Sequence, residues 1–409
     1  MRTRLPLAFL LAMVLGPASG QPAPAQCARP PVPAGTPLFA GSLIPPGYLH
    51  TDGSQIVSAD GLPVRIASVG WFTGFENPAA SIAKMIRLGF NTVRIEWFNA
   101  TMPADLIKID PVVAAAKQYG LKVILDHHAD EGGGACDSQQ PNGLPIDSGP
   151  GTNETDGCGH RGSVTIGRFV QDWKTVAAHF AGNSTVIGFD LHNEPLHYDG
   201  QSTWGDGGVT DLRLMYQEAG NAIQAVNPGA LIIAEGPQHY KTNFVGTAPA
   251  PYGDLSLAGR FPVKLKIPNQ IVYSVHSYPA KQSGFNGPDS GPQAIANMNA
   301  DFGYLVMENI APVWIGEMGA SMETAAERAW AQTLVDYMNG KAPGGPRFSG
   351  NQQGMSGDWW AWGTFDRDYP YGTLNNLGLP RPEQRAIYSQ LTQRPICVPV
   401  SQRPEERVD

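Results

Sequence analysis

Charge is scarce in this chain. Asp, Glu, Lys and Arg make up 16% of its 409 residues, against roughly 25% in an ordinary globular protein. The balance is acidic, with a formal net charge of −8 at neutral pH, which excludes the basic surface that nucleic acid demands. No apolar run is long enough to span a bilayer. Cysteine is nearly absent: Cys27, Cys136, Cys158 and Cys397 are the full set, and no CxxC or Cys/His spacing suggests a structural zinc site. Internal repeats are missing apart from a strand–helix alternation, and no linker splits the chain after residue 50.

What is present begins with an address. Arg2 and Arg4 precede the apolar run Leu5–Leu15, which Gly16-Pro17 breaks and Ala18-Ser19-Gly20 follows. That is a charged n-region, a short h-region and a small-residue cleavage site, so residues 1–20 are expected to be a signal peptide. Eight prolines within residues 22–46 predict an extended strap over 21–46. Export favours disulfides. Four cysteines allow three pairings; proximity favours Cys136–Cys158, which leaves Cys27–Cys397 to tie the strap to a C-terminal tail at 397–409. The expectation is a secreted, soluble monomer, extracellular or periplasmic, with no membrane partner.

The body of the chain alternates. Short, near-continuously apolar runs recur at Val64–Trp71, Thr92–Trp97, Lys122–His128, Val186–Pro195, Leu231–Gly236, Ile271–Pro279, Pro312–Gly319 and Asp358–Trp362, as expected of buried parallel strands. Helix-like segments lie between them: Pro78–Leu88, Ala104–Tyr119, Ile166–Phe180, Asp211–Val226, Gln293–Asn309 and Thr324–Met338, with Pro382–Gln393 last. Residues 237–270 read as loop. Eight strands alternating with helices predict an α/β fold, a single (β/α)8 barrel over 47–396.

Polar residues gather at the C-terminal ends of these runs, where a parallel barrel carries its active site. Two carboxylates stand out. Glu194 ends Ile187-Gly-Phe-Asp-Leu-His-Asn-Glu-Pro195, and Glu317 lies in Pro312-Val-Trp-Ile-Gly-Glu-Met-Gly319. A carboxylate at the end of a buried strand is poorly placed for stability but well placed for chemistry. Arg94 and Glu96, Asp126 with His127 and His128, His192 and Asn193, and His276 with Tyr278 occupy similar ends, and Trp360 and Trp362 sit on the eighth strand. One buried ion pair is unremarkable; polar groups on six strand ends imply a convergent site. Two carboxylates facing one cleft are what glycosidic bond hydrolysis requires. Glu96, Glu235 and Glu323 are further carboxylates without the sequence context of that pair.

The run of motifs Val69-Gly-Trp-Phe-Thr-Gly-Phe-Glu76, Asn91-Thr-Val-Arg94, Leu125-Asp-His-His128, Asn193-Glu-Pro195, His276-Ser-Tyr278 and Ile315-Gly-Glu-Met-Gly319 resembles glycoside hydrolase family 5, in particular its bacterial endoglucanase-like members. The resemblance covers roughly Tyr48 to Gln393. It implies Glu194 as general acid/base, Glu317 as nucleophile and Arg94 as the cation holding Glu317. Tyr278 matches a hydroxyl donor to the nucleophile, His276 a neighbour of the acid/base, and Asn193 a donor to the sugar 2-OH. The motif Asp-x-His selects His128 over the adjacent His127.

Aromatic residues are the second signal, because sugar rings stack their C–H faces on aromatic platforms. Trp71 and Trp362 are the expected platforms, Trp362 resembling the family tryptophan beneath the sugar. Trp360-Ala-Trp-Gly-Thr-Phe-Asp366 departs from the continuation common among cellulases, which bears on the sugar accepted. The long stretch Ala129–Ser163 after the third strand is expected to be a stapled wall of the cleft. The resulting expectation is a retaining endo-β-1,4-glucanase acting on a β-linked polysaccharide or oligosaccharide, with no metal and no cofactor. A β-mannanase or another β-glycosidase of the family, and an inactive carbohydrate-binding protein, are the alternatives.

Overall fold

The computed structural model describes residues 26–28, 44–72, 75, 77–129, 164–195, 202–208, 210–237, 253–280, 287–364, 371–391 and 396–398. The expected signal peptide, most of the strap, Cys136, Cys158 and the stretch beyond Ala129 lie outside them. Eight parallel strands close into a barrel in the order β10-β11-β12-β5-β6-β7-β8-β9. They are β5 (Ala67–Trp71), β6 (Thr92–Phe98), β7 (Lys122–Ala129), β8 (Val186–Asp190), β9 (Leu231–Glu235), β10 (Ile271–Ser277), β11 (Val313–Met318) and β12 (Ser356–Trp359). Helices pack outside and bury one face each. Helix Ala325–Met338, for instance, starts at a reciprocal cap between Thr324 and Glu327 and buries Trp330, Leu334 and Met338.

Before the barrel, β2 (Leu49–Asp52), β3 (Gln55–Ser58) and β4 (Pro63–Val64) form an antiparallel sheet. Its Leu49, Ile56 and Val64 join Ile124, Leu231, Ile233, Val272 and Trp314 in one apolar cluster. The sheet thus plugs the N-terminal mouth of the barrel with side chains. Two further strands, β1 (Gln26–Ala28) and β13 (Ile396–Val398), pair antiparallel with Cys27 opposite Cys397.

Several boundaries differ from those expected, each for a local reason. Pro63–Val64 belongs to the plug, so the first barrel strand begins at Ala67. The fourth stops at Asp190 instead of Pro195. Beyond it the Asn193 N–H donates to the His127 carbonyl, and the Glu194 N–H to the Glu235 carboxyl. The helix expected over 293–309 is interrupted by a π-helical turn at Asn299–Gly303. There the Tyr337 hydroxyl covers Gly303 and donates to Asn299 Oδ1.

Candidate active site

Strand alternation decides which side chains enter the barrel. On β6, Val93, Ile95 and Trp97 join the outer core, so Arg94 and Glu96 face inward. On β7, His127 packs edge-on against Trp97 and Phe169 in that outer core, and Asp126 and His128 take the inner face. On β11 simple alternation would point Glu317 outward beside Val313 and Ile315. A register shift at this point, pairing His276 with Glu317 after Val275 with Ile315, turns it in. The residue skipped is Gly316. A Cβ there would stand 2.3 Å from Ser274 Oγ and 3.0 Å from His276 Nε2, so any other residue would displace side chains of the site.

The centre of the site is Arg94, 1% exposed. Its Nε donates to Asp190 Oδ2 at 2.9 Å, Nη1 to Glu317 Oε1 at 2.7 Å and Nη2 to Asn193 Oδ1 at 2.8 Å. Asp126 Oδ1 lies 2.9 Å from Nη2. Burial works against the cation, but Asp126, Asp190, Glu317 and Asp358 outweigh it and hold the guanidinium well above its usual range. One cation cannot neutralise four carboxylates. Burial accordingly pushes Asp126 and Asp190 up to about 7 despite Arg94, and raises Asp358 well beyond the usual carboxylate range.

Above this lattice the two glutamates converge. The Tyr278 hydroxyl donates to Glu317 Oε2 at 2.7 Å. Burial, then the charges of Glu317 and Glu194, raise the phenol well above its ordinary value, so it keeps the proton it donates. His276 Nδ1 is 2.9 Å from Glu194 Oε1 and 3.7 Å from Glu317 Oε2. An oxygen of each glutamate and a nitrogen of His276 all lie within 4.8 Å of one another. Burial lowers His276 to about 3, Glu317 opposing, so the ring is neutral. Asn193 is fully buried, and its Nδ2 has no hydrogen-bond partner among the described residues.

His128 Nδ1 is 2.8 Å from Asp126 Oδ2 and 3.6 Å from Glu96 Oε2. Its ring stacks on Trp360, with centroids 5.6 Å apart and planes 8° from parallel. Burial depresses it to about 4. His127, by contrast, reaches His192 and Asn99 in the outer layer.

The aromatic expectations need correction. Trp71 and Trp362 are 4% and 6% exposed and belong to the main hydrophobic core. Alternation explains Trp71: it shares the outward face of Ala67 and Val69, and the next residue, Phe72, approaches Trp360 at 5.9 Å. Trp359 packs outward on Tyr388. Asp358 and Trp360 therefore take the inner face, and half-buried Trp360 stands beside the site where Trp362 was expected. Glu96 Oε2 lies 3.6 Å from His128 Nδ1.

Sequence reasoning also passed over Asp190 and Asp358, and set Glu235 aside for want of a motif around it. Glu235 is fully buried at the end of β9, its Oε2 accepting the Glu194 N–H at 2.8 Å. It ends an apolar run, Leu231-Ile-Ile-Ala-Glu235. That is the same signature that singled out Glu194 and Glu317, here without a motif around it.

An eight-stranded barrel presenting paired acids above an arginine lattice has the form of a glycoside hydrolase. Residues 53–366 match the family Cellulase (glycosyl hydrolase family 5). The chain is 32% identical over 342 residues to an endoglucanase of Paenibacillus polymyxa, covering 74% of this chain and 79% of that one. It is 26% identical to the major extracellular endoglucanase of Xanthomonas campestris pv. campestris, over 77% of this chain and 65% of that one. The solved catalytic domain of the major endoglucanase from that organism superposes with a TM-score of 0.66 at 25% identity, over 84% of this chain and 99% of that one. A hyperthermophilic endocellulase from Pyrococcus horikoshii shares the fold, with a TM-score of 0.65 at 24% identity over 84% of this chain and 97% of that one. The chain belongs to glycosyl hydrolase family 5, and is a cellulase-type β-glycoside hydrolase.

Proposed function

We propose that this chain is an exported endo-β-1,4-glucanase that hydrolyses β-glucan with retention, using Glu317 as nucleophile and Glu194 as acid/base. The observation that carries the reading is the closeness of the two carboxylates, within 4.8 Å by their nearest atoms across His276. Retaining enzymes hold the pair about 5–5.5 Å apart, whereas inverting enzymes need about 6.5–9.5 Å to admit a water between them.

In the first step Glu317 attacks the anomeric carbon while Glu194 gives its proton to the departing glycosidic oxygen. Glu317 is thereby esterified to the sugar. In the second step Glu194, now a carboxylate, takes a proton from water. The water oxygen bonds to the anomeric carbon and Glu317 leaves. Arg94 and Tyr278 each occupy one Glu317 oxygen, which orients the nucleophile and stabilises it when it is released. Asn193 Nδ2, unpartnered among the described residues, is a donor for the sugar 2-OH, a contact that strengthens in the oxocarbenium-like transition state. Trp360, stacked on His128, offers an apolar face to a pyranose ring.

The same reading makes residues 1–20 a signal peptide, 21–46 a strap and 397–409 a tail. Facing Cα positions in an antiparallel pair are about 4.5–5.5 Å apart, a spacing that suits a disulfide, and Cys27 faces Cys397 in that way. Among the described residues no helix is long and apolar enough to cross a membrane.

The test is the first-formed anomer from a cellooligosaccharide, followed by proton NMR. The β-anomer is expected; the α-anomer overturns the mechanism. Reducing-sugar release is expected from carboxymethylcellulose and mixed-linkage glucan in preference to mannan and xylan. Preference for mannan would reassign the substrate.

A further inference from the structure

We propose that Glu235 is a positioning residue that aims the Glu194 carboxyl, by accepting the Glu194 backbone N–H and standing behind the His276 imidazole; this rests on the acid/base role proposed for Glu194.

Glu194 needs something to hold it. Strand β8 ends four residues earlier, and Glu194 sits in the left-handed region at φ 45°. That conformation is costly for a residue with a side chain and persists only when its surroundings over-determine it. Pro195 follows and restricts the same backbone further. The restraints can be named. The Asn193 N–H donates to the His127 carbonyl at 2.9 Å, the Glu194 N–H to Glu235 Oε2 at 2.8 Å, and the Glu194 carboxyl meets His276 Nδ1 at 2.9 Å. The far nitrogen of that ring lies 3.4 Å from the same Glu235 Oε2, without the alignment of a hydrogen bond. One oxygen of Glu235 therefore stands at the corner between the Glu194 main chain and the ring that touches its carboxyl.

Glu235 is rigid enough for the task. It is fully buried, its backbone carbonyl accepts from the Tyr216 hydroxyl at 3.0 Å, and Gly253 packs on its side chain. Burial, reinforced by Glu194 and Asp190, raises its carboxyl well above the usual range. That direction favours the protonated form, whose shape and uncharged acceptor oxygen glutamine copies. The Glu235 carboxyl lies behind the Glu194 main chain and the His276 ring, so its influence passes through Glu194 and falls on the steps that move a proton.

The experiment compares E235Q, E235L and E194A on two substrates. Cellotetraose has a leaving group that must be protonated; 2,4-dinitrophenyl cellobioside has one that need not be. Added azide can attack the glycosyl-enzyme and expel Glu317 without proton transfer, giving a β-glycosyl azide. E235L is expected to lose about 10²-fold in kcat on cellotetraose, the scale of a small misplacement of a catalytic group, with KM changed less than about 3-fold. It should keep most of its pre-steady-state release of dinitrophenol, and azide should accelerate its turnover with glycosyl azide as product. E235Q should stay within about 3-fold of the parent on both substrates. A pre-steady-state dinitrophenol release by E235L as depressed as its turnover of cellotetraose, an E235Q as slow as E235L, or an E235L with full activity would each overturn the proposal. E194A separates the two claims: if it shows neither leaving-group dependence nor azide product, the acid/base assignment itself fails.

Discussion

The two ends of the barrel are built on opposite rules. At the N-terminal end, Ile124, Leu231, Ile233, Val272 and Trp314 meet the plug residues Leu49, Ile56 and Val64 in an apolar cluster. At the C-terminal end the barrel strands deliver Arg94, Asp126, Asp190, Glu235, Glu317 and Asp358, each no more than 3% exposed. The lower end lowers the free energy of folding by taking apolar surface from water. The upper end holds buried charge that costs stability unless paired. Strand ends a few residues apart thus serve stability or chemistry, according to what the loops leave open above them.

Substitutions that separate the two ends should differ in kind. The largest effect is expected for Glu317→Gln, which removes the proposed nucleophile. Its kcat should fall on the order of 10⁴-fold or more, with melting temperature unchanged or raised because a buried charge is gone. Reducing-sugar assays beside thermal unfolding would check both; an active Glu317→Gln breaks the division. Next is Trp314→Ala in the lower cluster. It should cost about 3–5 kcal/mol in denaturant unfolding, while the molecules that remain folded keep their kcat.

The pH response should also sort by end. The Asp126 carboxyl titrates near 7 when folded and near 3.8 when unfolded. Between these values the native state holds the extra proton, so this group makes stability fall as pH rises from about 4 to 7. Asp126→Asn removes that slope. Its stability relative to the parent should rise across this window by at most about 4 kcal/mol, as read from denaturant midpoints at pH 4.5 and 7.5. A relative stability that falls instead would mean that the Arg94 ion pair outweighs burial. The smallest effect is expected at the rim. Trp360→Ala should raise KM about 10-fold, the worth of one aromatic contact, with little change in melting temperature. Trp362→Ala should do the reverse, lowering the melting temperature and sparing KM.

Much of this architecture was legible in the chain. The eight apolar runs and the helix-like segments between them were visible because parallel strands are buried on both faces. Glu194 and Glu317 were visible because a carboxylate is conspicuous at the end of such a run. Trp362 was misread because it lies three residues beyond the end of β12 at Trp359, where strand alternation no longer places a side chain. Trp71 was misread because a strand's alternation, which sends neighbours to opposite faces, depends on where the strand begins. That phase became readable only with Val69, Trp71 and Trp359 seated in the outer core. The plug was missed because β4 contributes only Pro63 and Val64 and merges in sequence with β5. Asp190 and Asp358 sat in plain view inside strands, but a single buried acid has no meaning until its cation is known.

By itself, the sequence determined the repeat, the barrel and the residue types at its chemical end, because hydrophobic periodicity and charge placement are local properties. Tertiary structure decided the rest. The bulge at Gly316 turned Glu317 inward, since register exists only between paired strands. Arg94 became the shared partner of Asp126, Asp190 and Glu317, since those residues approach one another only when the sheet closes. Glu235 came to hold the main chain of Glu194 across 41 residues of sequence, a contact that no local pattern encodes.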